Sequence, residues 1–500
     1  MVAISPLQRA EKKLPNRAKR LHGLLFLALL IFFGWSMSGS LTPTQPLSDG
    51  LDNAVMARNL ALFGVFSSHA RLDEQQPPTQ APVPDNYREP LYPLMLAAAL
   101  KLLATPEQLS MGCLRNPRGP CVSLIIQLKW LKVGMMFLIG LLCYWGVRRW
   151  SGSPWAALGG LFLVATSLTL YIDLDNFYSE IPAALATLAF SLSLANWWVN
   201  SLSLRWALLA GVCFAWAIFS KAIFFYLLPP LLLWAVWRLG RAAGQRGVVA
   251  LGLLLFLAPP VVSASYWMQR SMDLGMGYKF SSRGDLALAM RAELNQQSWQ
   301  SVATSFFCYT PFIGYDVNRY LPFLPSEPCY DIDIFHPGGN YYQRLMAGQG
   351  AMAQWLAAHP GADRQQAALA LIKEDPLKHA VISLALLYKS AFPLSATVPP
   401  PWHPVATQLG LLPQQMRIAY VVLMLPLYPL AIYLMIHAWR RRRLELLLFM
   451  LPSLFYLTLY IGATDFSMLR YATPLLPVLL VCYVVAGHQL WLRWRSNRTQ

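Results

Sequence analysis

The chain has 500 residues, 56% of them hydrophobic and 13% charged, with 40 Lys and Arg against 23 Asp and Glu for a formal charge of +17. Soluble domains carry about 25% charged residues, so a soluble globular enzyme and a disordered chain are both excluded and a polytopic membrane protein remains. The basic excess is topology rather than a nucleic-acid footprint. Arg148 and Arg149, Arg238, Arg241 and Arg246, Arg440 to Arg443, and Arg493, Arg495 and Arg498 follow apolar runs, and short Lys/Arg-rich loops stay cytoplasmic.

A spanning helix needs roughly 20 mainly apolar residues. The first, Leu21 to about Ser40, follows a basic N-terminus with no evident cleavage site and reads as an uncleaved span. Further spans are expected near 123–147, 155–172, 179–198, 206–221, 223–238, 247–268, 412–437, 444–463 and 471–491. The fold class is therefore all-α and polytopic, with about ten transmembrane helices. Both termini fall on the cytoplasmic side, as a tail 1–20 and a tail 492–500. Within the membrane region 21–268, the first outside loop, 41–122, carries surface helices. A small extracytoplasmic region, 269–411, shows helical stretches at Ala351–Ala358, Gln365–Lys373 and Lys378–Ser390, and precedes the C-terminal helices of 412–491.

The cysteines fit this plan. Cys113 and Cys121 share the first outside segment and Cys308 and Cys329 the second, while Cys143, Cys213 and Cys482 lie in spans. Two in-segment disulfides are what an oxidising compartment allows.

Chemistry-bearing residues gather at the outer boundary. In SDGLDNAVMARNLALFG, Asp49 precedes a short surface helix and Asp52 lies in its first turn. Asp49 is either a helix cap or a carboxylate poised as a general base. Arg88 and Tyr92, in YREPLYP, lead into LMLAAALKLL. A guanidinium there either snorkels or holds a phosphate through paired hydrogen bonds. Between the third and fourth spans, YIDLDNFYSEIP carries Asp173, Asp175 and Glu180, a solvated turn or, through Asp-x-Asp, an oxygen pair for a divalent ion. Arg470 opens the last span and faces either an anionic headgroup or Asp465. Lys129 and Lys132, inside the second span, have no evident role.

In this order the set resembles the glycosyltransferase C superfamily, above all the protein O-mannosyltransferases of glycosyltransferase family 39 and the lipid A aminoarabinose transferases. The resemblance covers about 20–240 and 440–490 and is weak across 269–411. Asp49, Asn53, Ala57, Arg58, Leu60 and Gly64 stand in the pattern that follows the family's catalytic acid, with Asn53 in place of an aromatic. Arg88 matches its basic residue before Pro-Pro-Leu-Tyr, with Glu89 in place of the first proline. Glu180 matches an acid at the start of the fourth span, and Lys221 sits in a glycine-small-basic helix.

The resemblance implies sugar transfer from a polyprenyl-phosphate donor to a protein, lipid or glycan acceptor outside the membrane, with inversion. Asp49, or else Asp52, would be the base, and Arg88, Arg470 and Lys221 would hold the donor phosphate. No cofactor is required, and no nucleic-acid partner is expected. The implied location is a bacterial inner membrane with a periplasmic site. The alternatives are a transporter or flippase of lipid-linked sugar, and a glycan polymerase or ligase. Transporters favour paired repeats and charged or broken helices at the midplane, whereas the charges here gather at the outer boundary.

Overall fold

The computed structural model describes residues 15–70, 78–241, 244–310, 341–390, 413–464 and 469–498. Among the described residues, regular structure is helical throughout, and the protein is an all-α integral membrane protein. Among the described residues, eight helices are long and apolar enough to cross a membrane: Asn16–Gly39, Pro120–Ser151, Glu180–Val199, Ala222–Gly240, Arg246–Asp273, Ile418–Arg440, Leu444–Thr464 and Arg470–Arg498. A ninth span is completed if Pro154–Ala165 and Leu168–Asp175, which meet at 47°, are taken together. The span expected at 206–221 is the shorter apolar helix Leu204–Ser220. The last helix runs on to Arg498 rather than ending near 491, so most of the expected tail is helical.

Glu180–Val199 lies at the centre and is buried along nearly its whole length. Its sequence explains this. Lipid is as apolar as leucine, so membrane helices associate by close packing of small residues rather than by the hydrophobic effect. Ala183, Ala184, Ala186, Thr187, Ser191, Ser193 and Ala195 are all buried. Beside it, Leu204–Ser220 meets Arg246–Asp273 so closely at Gly211 that a Cβ there would stand 2.4 Å from the Phe256 carbonyl oxygen. Phe190, Phe214 and Phe256 stack across the three helices. Large apolar side chains such as Leu24, Leu233, Val236 and Val262 stay exposed, as a lipid-facing surface requires.

The two long segments between spans meet where the Ser282 amide donates to the Asn86 carbonyl at 3.1 Å. In the first of them Asp49–Phe63 and Leu91–Leu103 pack together. The Cys113–Cys121 disulfide ties the turn Met111–Arg115 to the start of Pro120–Ser151. Cys308 is also disulfide-bonded, while Cys329 lies outside the described residues. The region after 269 contributes Arg283–Leu294, Trp299–Cys308, Ala351–Ala358, Arg364–Glu374 and Pro376–Ser390. A small core of Ala289, Ala292, Met352, Ala367, Ala368 and Leu371 unites three of these helices. Buried Arg291 fastens the region to the bundle by donating to Ser383 Oγ (2.7 Å), the His379 carbonyl and the Gly462 carbonyl.

Candidate active site

The helix Asp49–Phe63 begins one residue earlier than a capping aspartate would allow. Ser48 is the residue before it, with a positive φ of 49° and no side-chain cap bond, and Asp49 is the first helical residue. The capping reading of Asp49 is thereby displaced, because its carboxylate points elsewhere. A non-glycine residue held at positive φ costs on the order of 1–3 kcal/mol, and such residues cluster at functional sites. Gly50 lets the first turn approach Phe177, where a Cβ would stand 3.2 Å from the Phe177 Cβ. Asn53, in the place of an aromatic, donates to the Phe177 carbonyl at 2.9 Å. Arg58 is buried away from this point and donates to the Leu109 carbonyl, so it holds the surface helices together.

Three guanidiniums converge on Asp49. Arg88 Nη2 donates to Oδ1 at 2.6 Å, Arg283 Nη2 to Oδ2 at 2.7 Å, and Arg470 Nη2 also to Oδ2. Arg88 is anchored again on Asp52 Oδ2, through Nη2 at 2.6 Å and Nε at 3.2 Å. Arg470 lies over the Tyr178 ring at 4.0 Å, with its Nε 4.0 Å from Glu180 Oε1. Burial of the Asp49 carboxyl opposes its ionisation, but Arg88, Arg283 and Arg470 outweigh burial and hold its pKa well below the usual carboxylate value. Burial and the neighbouring Arg283 act against the charge of Arg88, and Asp49 and Asp52 still keep its pKa above the ordinary arginine value.

The remaining expected residues divide into three. Glu180 belongs to the site's edge, where Lys221 Nζ donates to its Oε1 at 3.3 Å, so that Lys221 neutralises Glu180 rather than reaching Asp49. Tyr92 is buried, with Lys132 Nζ 5.2 Å from its ring centre and no hydrogen-bond partner for its hydroxyl among the described residues. Asp173 and Asp175 correct the expectation of a solvated turn, since they lie in the helix Leu168–Asp175 and face different partners. Asp173 Oδ2 accepts from Thr473 at 2.5 Å. Asp175 accepts from the Thr42 amide at 2.8 Å and from Lys129 Nζ at 2.9 Å. The two carboxylates are thus not presented as one oxygen pair. The same stretch places the two lysines of the second span, since Lys129 meets the Asp175 carboxylate and Lys132 Nζ donates to the backbone carbonyls of Asp173 and Asn176. Asp465, the other expected partner of Arg470, lies outside the described residues.

Arg283 was not among the expected residues. One signal for it exists in the sequence. It opens the helix Arg283–Leu294, and the positive end of a helix dipole disfavours a cation.

The sequence matches no protein-family model and no curated protein. In structure, the chain is similar to the archaeal oligosaccharyltransferase AglB from Archaeoglobus fulgidus in complex with an inhibitory peptide and a dolichol-phosphate, with a TM-score of 0.45 and 13% identity over 97% of this chain and 52% of that one. It is also similar to ArnT from Cupriavidus metallidurans in the apo state, with a TM-score of 0.36 and 14% identity over 94% of this chain and 78% of that one. The chain spans about half the length of the oligosaccharyltransferase.

Proposed function

We propose that this protein is a membrane glycosyltransferase that moves a sugar from a polyprenyl-phosphate donor to an acceptor on the extracytoplasmic face. The observation that carries the reading is the charge balance around Asp49. Among the described residues, four cations, Arg88, Arg283, Arg470 and Lys221, meet three carboxylates, Asp49, Asp52 and Glu180. One positive charge is left over in a partly buried site, which suits the single negative charge of a sugar phosphodiester. Guanidinium forks match phosphate oxygens.

In the proposed reaction Asp49 takes the acceptor hydroxyl proton as the acceptor oxygen bonds to the anomeric carbon. The bond from that carbon to the phosphate oxygen breaks on the opposite face and the anomeric centre inverts. A phosphate leaves without needing a proton, unlike the alkoxide of glycoside hydrolysis. The arginines stabilise the second negative charge that develops on it. Asp49 is favoured over Asp52 because Asp52 meets Arg88 alone among the described residues and acts to orient it. The acceptor, whether protein, lipid or glycan, would approach past 269–411, and the polyprenyl tail would lie among the spans.

Asp49→Asn is expected to lower transfer by at least about a thousandfold, on the scale of losing an essential proton acceptor, with membrane insertion and thermal unfolding preserved. The check is turnover of labelled undecaprenyl-phosphate sugar in proteoliposomes, with release of undecaprenyl phosphate. Full activity in that variant rules out Asp49 as base, and movement of intact lipid-linked sugar without turnover marks a transporter instead.

A further inference from the structure

The three arginines on Asp49 are not held alike. Arg88 is fixed a second time by Asp52, and Arg470 by the Tyr178 ring and Glu180. Arg283 has Asp49 as its one carboxylate partner among the described residues, and the phenols of Tyr87, Tyr460 and Tyr471 and the guanidinium of Arg88 are also near it. It also comes from a different part of the molecule, the helix Arg283–Leu294 of the region between the spans, and its own helix dipole disfavours it there.

A carboxylate serving three guanidiniums is a weak proton acceptor, and general-base efficiency falls with base strength. The groups that would take the arginines away are phosphate oxygens, which fit the same fork. We propose that Arg283 is a positioning residue that masks Asp49 until the donor arrives. The donor phosphate draws Arg283 off Oδ2, the carboxylate, left with Arg88 and Arg470, becomes a stronger proton acceptor and takes the acceptor hydroxyl, and donor binding therefore precedes acceptor binding. This inference rests on the glycosyl-transfer reading above.

The cycle closes on protons and charges. The acceptor proton moves to Asp49 as the new glycosidic bond forms, and the electron pair of the broken bond stays on the phosphate. The phosphate, now doubly negative, keeps Arg283 until it departs. Asp49 then gives its proton to water as Arg283 returns. The groups facing Asp49 are Asp52 on its own helix, Tyr87 and Arg88 before Leu91–Leu103, Tyr178 and Glu180 at the start of the central helix, Arg283, and Arg470. Of these the arginines are the groups whose forks match phosphate, and among the described residues Arg283 is the one without a second carboxylate or a stacked ring.

The test uses the full chain in lipid nanodiscs, with undecaprenyl phosphate as the probe. Infrared difference spectra follow the protonated-carboxyl band of Asp49, assigned by its loss in Asp49→Asn. Bound undecaprenyl phosphate is expected to raise the Asp49 protonation midpoint by about one pH unit or more, a tenfold gain in proton affinity. In Arg283→Ala the midpoint is already raised without the probe and moves little further, while Arg283→Lys restores the response. A wild-type midpoint that ignores bound undecaprenyl phosphate, or an Arg283→Ala midpoint equal to wild type, overturns the masking role. Binding of radiolabelled undecaprenyl phosphate is measured on the same sample. Failure to bind overturns the transfer reading and the masking with it, whereas binding without a shift overturns the masking alone.

Discussion

Asp49 and Lys129 show two different uses of a buried charge. At Asp49 the cations outnumber the anions among the described residues, and the proposed donor site rests on that excess. At Lys129 the account is closed within the protein, because its Nζ donates to Asp175 Oδ1, to the Thr42 carbonyl at 2.7 Å and to Thr44 Oγ1 at 3.0 Å. Breaking a buried pair from one side leaves an uncompensated charge and costs about 3–5 kcal/mol. Lys129→Met is therefore expected to lower the thermal unfolding midpoint of the detergent-solubilised protein, and adding Asp175→Asn should return at least half of the loss. Equal losses in the single and double variants would mean that Lys129 acts through its Thr42 and Thr44 contacts alone. The importance of Asp49, Arg88 and Arg470 was legible in the sequence, since charged residues at an apolar boundary demand a reason. Which of them meet was not. Arg470 lies 421 positions from Asp49 in the chain, and no local pattern records a contact of that range.

Helices were more readable than sites. Ala351–Ala358 stands where its apolar spacing places it, and Arg364–Glu374 and Pro376–Ser390 extend the expected stretches by one or two residues. An Asp363–Gln366 capping box explains the clean start of the second of these. The turn expected at 171–182 failed for a physical reason. Its carboxylates were read as needing water, but Thr42, Lys129 and Thr473 supply their partners inside the protein and allow a helix. Between Pro376–Ser390 and the buried Arg291, His379 gives this region a pH dependence. Burial, and then Arg291, push the His379 pKa down from 6.5 to about 4. The folded protein thus holds His379 neutral where the unfolded chain would protonate it, so stability is full above pH 6.5 and falls as pH drops toward 4. Thermal unfolding scanned over that window should show a smaller fall in His379→Gln than in wild type, and identical slopes would remove His379 from the account.

On the scale of the whole molecule, composition gave the class at once, and the apolar runs located the helices, although 206–221 proved a shorter apolar helix and the last helix ran seven residues past its expected end. The region after 269 was read for its helices but not for its contribution to the site, because one arginine in a polar stretch carries little periodic information. Its attachment through Arg291 and its delivery of Arg283 make it part of the site rather than a cover over it. Biogenesis sets a further demand, and it follows from the lysines of Pro120–Ser151. A lysine within a spanning helix opposes insertion, by about 2.5–3.5 kcal/mol at the helix centre on the translocon scale, and the carboxylate partner of Lys129 and the carbonyl partners of Lys132 lie in 173–176, two helices later. The segment 120–151 should insert inefficiently when presented alone to a translocon and recover when 154–176 follows it in the same nascent chain, as read by glycosylation-site reporters. A segment that inserts equally well alone would show that its lysines reach the interface unaided. Otherwise the protein must enter the bilayer in units larger than a single helix, and the stretch 173–176 licenses the membrane to accept the helix that precedes it.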